Sequence, residues 1–154
     1  MAKDRSIYIA KRNLEDLLQS GQERTRLTEQ LQIIIRETLD EIADSMTVGD
    51  EIALKGYRLR VADLESNIGS WRTVVLEDNE GYRTTVFNDN IQPGANFYLH
   101  NDFQAEFLNA SREQWLFVAN NLPRIIELFA IENEKVTSVL REAFDRLRAM
   151  AEAE

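Results

Sequence analysis

A chain of 154 residues with 44% hydrophobic and 29% charged side chains has the balance of an ordinary folded domain and too much apolar content for wholesale disorder. Zero cysteines exclude disulfides, thiolate nucleophiles, thiolate zinc sites and iron–sulfur clusters together, and a single histidine excludes chemistry built on several imidazoles. With 18 basic against 27 acidic residues the net charge is −9, a field that repels a phosphate backbone, so general nucleic-acid binding is not expected.

From Lys11 to Met46, Leu14, Leu17, Leu18, Leu27, Leu31, Ile34, Ile35, Leu39, Ile42 and Met46 recur every three or four residues, which predicts helix. Gly21 interrupts the pattern, and Ser20 with Glu23 has the spacing of a capping box. One helix containing a glycine and two helices meeting at Ser20 both satisfy the sequence. The segment 1–47 is therefore read as helical, closed by Thr47-Val48-Gly49-Asp50 with glycine near the C-terminus. No stretch is apolar for long enough to span a bilayer, and residues 1–10 alternate charged and apolar groups; the expectation is a soluble, cytoplasmic protein.

The period then changes to two. Tyr57, Leu59 and Val61 alternate with Arg58 and Arg60, and a turn at Lys55-Gly56 allows pairing with residues 51–54. Asn67-Ile68-Gly69-Ser70 reads as a loop. Trp71 to Glu77 and Tyr82 to Asn88 flank a turn at Asp78-Asn79-Glu80-Gly81. With Glu77 opposite Tyr82, one face carries Trp71, Thr73, Val75, Tyr82, Thr84 and Val86, the other Arg72, Val74, Leu76, Arg83, Thr85 and Phe87. Both faces are partly apolar, so each is expected to be covered. A turn at Pro93-Gly94 and a strand at Asn96 to His100 complete a β-rich segment, 50–101.

The segment 111–152 is again helical. Ser111 and Gln114 form a second capping-box pattern, and Pro123 is expected to kink or restart the helix. A heptad register follows, with Ile126, Asn133, Leu140 and Leu147 at a, and Leu122, Phe129, Val136, Ala143 and Met150 at d. Asn133 is the kind of polar a residue that fixes register and strand number. Val139 at g and Phe144 at e widen the stripe beyond a simple two-stranded zipper and toward a helical bundle. The expected fold is α+β in a single domain: a long N-terminal helical segment, a small antiparallel meander, and a C-terminal helical hairpin or kinked long helix with a coiled-coil-like seam.

Three patterns could carry function. Glu37, Asp40, Glu41 and Asp44 share a helix face, as a magnesium cluster for nucleotide hydrolysis would require, but no facing acidic pair accompanies them and we read a solvated acidic face. The same row could imitate a phosphate array as an acidic inhibitor. His100 beside Asp102 could act as a general base; a lone histidine at a strand end is more often a hydrogen-bonding surface residue. Tyr57, Arg58, Arg60, Trp71, Arg72, Tyr82 and Arg83 interleave aromatic and guanidinium groups that could stack a base and grip a phosphate, which makes them the candidate nucleotide or cyclic-nucleotide site.

No phosphate-binding glycine loop, dinucleotide fingerprint or nucleophile elbow occurs. The expected role is non-enzymatic and without a cofactor or metal. We expect a homo-oligomer seamed by Ile126, Phe129, Asn133, Val136, Leu140, Ala143 and Leu147 that binds a second protein and involves neither nucleic acid nor a membrane. A phage or prophage accessory product would have this size and this lack of catalytic templates.

Overall fold

The computed structural model describes residues 2–66, 69–78, 83–87, 98–99 and 106–153. The first helix, α1, runs without a break from Ala2 to Ser45, so Gly21 lies inside one helix. The chain divides into two compact units, 1–34 and 35–154. The first unit is helical throughout, and its apolar row is open, Leu14, Leu17, Leu18 and Leu27 all being more than half exposed.

The second unit holds a sheet between helical segments, and the fold is α+β. Its strands are β1 (Glu51–Leu54), β2 (Tyr57–Ser66), β3 (Gly69–Asp78), β4 (Arg83–Val86), β5 (Tyr98–Leu99) and β6 (Glu106–Asn109). β1 to β4 form the antiparallel meander, β5 pairs with the edge of β2, and β6, which alternation did not announce, lies parallel to β4. The β1–β2 hairpin turns through Lys55 and Gly56 at φ +47° and +87°, the two positive values that a two-residue turn needs to match strand twist. After α1, the Asp50 carboxylate accepts from the Thr47 amide at 2.9 Å. Gly49, at φ +99°, donates its amide to the Val61 carbonyl.

The β3–β4 register differs from the expected one. Glu77 pairs with Thr84 and Leu76 with Thr85, two residues further along than a Glu77–Tyr82 pairing. A shift of two leaves every side chain on its expected face, because side-chain direction alternates with period two. The turn expected at 79–81 lies outside the described residues, as do 67–68 and the turn at 91–95.

Both faces are covered. On one, Leu59, Val61, Val74 and Leu76 are buried; on the other, Ala62, Leu64, Val75 and Val86 cluster with Trp71 packed against them. The second helix, α2, spans Arg112–Glu152 as one helix that passes through Pro123. Its first turn carries the full capping box: the Gln114 amide donates to Ser111 Oγ at 3.3 Å, and Gln114 Oε1 accepts from the Ser111 amide at 2.8 Å. The start of α2 lies on the Leu59 face through Tyr57 tilted against Phe117 at 4.8 Å, Phe87 edge-on to Trp115 at 5.1 Å, and Gln114 donating to Thr85. Lys55, in the β1–β2 turn, donates to Asn121 Oδ1 at 2.9 Å, and Asn121 in turn donates to the Phe117 carbonyl. Asp40 of α1 reaches the opposite face, where it accepts a 2.8 Å bond from the Thr73 hydroxyl. Among the described residues, no helix is long and apolar enough to cross a membrane.

Candidate functional site

Five of the seven residues read as a ligand site have described side chains, and the β2–β3 register divides them between two faces. Asp63 opposite Arg72 and Leu64 opposite Trp71 put Arg72 with Tyr57 on one face, and Trp71 with Arg58 and Arg60 on the other. Tyr57 packs its ring, tilted, against Phe117. Arg72 donates to Asp63, its cross-strand neighbour, at 2.8 Å; that bond and the carboxylate charge raise its pKa further. Arg60 pairs with Glu77 at 2.7 Å, and Arg58 lies 3.8 Å from Glu77 and 3.6 Å from Glu51. Tyr82 lies outside the described residues, and Arg83 is placed only as the first residue of β4.

Glu77 is the residue that sequence reading passed over. Its carboxylate is nearly buried between two guanidinium groups, opposite Arg58 and diagonal to Arg60. Pairing β2 with β3 on paper would have placed these charges together. The arginine alternation of β2 thus answers an acid one strand away.

The acidic row on α1 separates as well. Asp40 accepts from Thr73 and from the Trp71 indole, and burial, the largest influence, lifts its pKa above the ordinary 3.8. Glu37, Glu41 and Asp44 remain exposed. Among the described residues, no three acidic or histidine side chains converge as a metal ion would need. His100 and Asp102 lie outside the described residues.

The seam of α2 has two regimes. In its first half Trp115, Val118, Ile125 and Phe129 are buried. Beyond Phe129 the stripe opens: Val136 is half-buried, Asn133 and Ala143 are exposed, and Val139, Leu140, Phe144, Leu147 and Met150 are each about two-thirds exposed. Ile126 is 44% exposed and borders an open groove. Thr38, Ile42 and Met46 from the end of α1 form one wall of that groove; Ile126, Phe129, Ala130 and Asn133 of α2 form the other. Comparison with protein-family models, curated proteins and solved structures returns no match to this chain.

Proposed function

We propose that this chain is a non-enzymatic cytoplasmic interaction protein that assembles with copies of itself through its helices and presents its sheet region to a protein partner. The observation that carries this reading is the run from Val139 to Met150, where five large apolar side chains stand about two-thirds exposed on one helix. A soluble chain rarely leaves such a continuous apolar row in water, and a helix with one wide apolar face reaches its stable state by covering it. The commitment of Arg58, Arg60 and Arg72 to neighbouring carboxylates favours a structural sheet over a phosphate-gripping one.

Replacing Leu140 and Leu147 with Asp tests the reading, since at exposed positions the change costs only roughly a few tenths of a kcal/mol of helix propensity, whereas in a buried seam it is far more costly. Light scattering coupled to size exclusion should show the unaltered chain as an oligomer and the double variant as a single chain with helical circular dichroism retained. A single-chain mass for the unaltered protein at high concentration would overturn the proposal.

A further inference from the structure

The stripe that α2 lays on its own sheet does not stop where the sheet stops. Phe129 is buried, and its a/d row continues as Asn133, Val136, Leu140, Ala143 and Leu147, with Leu140 63% and Leu147 66% exposed. Together with the flanking Val139 and Phe144, and Met150, these leucines make five large apolar side chains about two-thirds exposed, a surface on the order of the ~800 Å² per partner of a standard interface. The open row is thus continuous with an interface the chain already makes, and large enough to need a partner of its own.

We infer that this partner is the same segment of a second copy, packed antiparallel on a two-fold axis that passes between the helices at the level of residue 138. The inference rests on the self-association reading above and adds its direction and register. Charge decides the direction. In a parallel pair the g residues face e residues of the partner's next heptad, so Glu132 meets Thr137 and Arg146 meets Ala151, and no ion pair forms. Reversing one helix brings g opposite g. Glu132 then meets Arg146 of the second copy, Arg146 meets its Glu132, and Val139, midway, meets itself. A two-fold interface must be self-complementary, and this row reads as its own complement.

Size agrees with charge. In the same register Val136 packs on Leu140 of the second copy, and Asn133 lies beside its small Ala143. On the e flank Phe144 comes level with Ala130, one of the walls of the groove at the root of α2, so the second copy supplies a large side chain where the groove is open. The wide stripe, awkward for a parallel zipper, is used in full by this arrangement.

The test uses the full chain, whose lack of cysteine makes introduced thiols unique. Glu132→Arg and Arg146→Glu should each weaken dimerisation roughly tenfold or more in sedimentation velocity, and the double exchange should restore it. An equimolar mixture of the two single variants should dimerise better than either alone. A short bismaleimide should link Val139→Cys to itself across the axis. It should leave Leu147→Cys unlinked, because in this register the two thiols sit about 27 Å apart, eighteen helical residues at ~1.5 Å each. None of these four positions is buried, so circular dichroism should report an unchanged fold. Linkage at Leu147→Cys with none at Val139→Cys, or indifference to both charge reversals, would overturn the antiparallel register while leaving self-association standing. A monomeric unaltered chain would overturn both.

Discussion

At the scale of single residues, the charged groups of the sheet are the sharpest test of how its chemistry is spent. Glu77 holds two arginines from a nearly buried position, so Glu77→Gln leaves guanidinium groups facing a neutral amide and should cost about 2 kcal/mol, read as a lower denaturation midpoint at an unchanged slope. Asp40 behaves in the opposite sense. Its folded-state pKa is raised by burial, so the folded state binds the proton more readily than the unfolded one. Stability on its account is highest below 3.8 and declines as pH rises through the raised value. Asp40→Asn keeps an acceptor for Thr73 and removes the charge, so the variant should melt higher than the parent at pH 7, with the gain shrinking on acidification. A gain that is as large at acidic pH as at pH 7 would mean that the Asp40 charge is not the cause. These roles were hidden in the sequence for one reason. Glu37, Asp40, Glu41 and Asp44 look alike as a string, and only the strand beneath Asp40 distinguishes it from its neighbours.

At the scale of elements, several short-range signals were a good guide, although the Ser20-Glu23 spacing and Pro123 both lie inside unbroken helices. The capping box at Ser111, the Lys55-Gly56 turn and the alternation of β2 act within a few residues, and each forms as its residues dictate. What depended on distance was less legible. The length of the β3–β4 connection moved the register by two, and β6 joins the sheet beside β4 across twenty residues of chain, a pairing that no local period encodes. Gly21 stood at the border between these cases: a glycine costs a helix about 1 kcal/mol relative to alanine, and the neighbouring Thr25 and Thr28 hydroxyls donate back to the Gly21 and Arg24 carbonyls within an unbroken ladder. Nothing lies within 4 Å of where a Cβ would stand on Gly21. Gly21→Ala should therefore raise helical ellipticity and slow amide exchange around residue 21, consistent with a gain of about 1 kcal/mol. A loss of helicity would mean that the glycine marks a boundary between two helices.

At the scale of the whole molecule, α2 ties the account together, because one stripe changes its surroundings along its length. Heptad spacing reads Ile126, Phe129, Asn133, Val136, Leu140, Ala143 and Leu147 as one stripe, but a repeat of sevens does not say whether the cover comes from the same chain or another. Along α2, Trp115, Val118, Ile125 and Phe129 are buried, Ile126 is partly open, and beyond Phe129 the row is exposed. Burying that open row is worth more than any single contact above, at roughly 25 cal/mol per Å² of apolar surface removed from water. The most direct measurement is therefore sedimentation equilibrium of the unaltered chain over a wide concentration range. Two chains of 17.8 kDa should sediment together and dissociate only on dilution, whereas one chain at every concentration would mean that the open row stays uncovered.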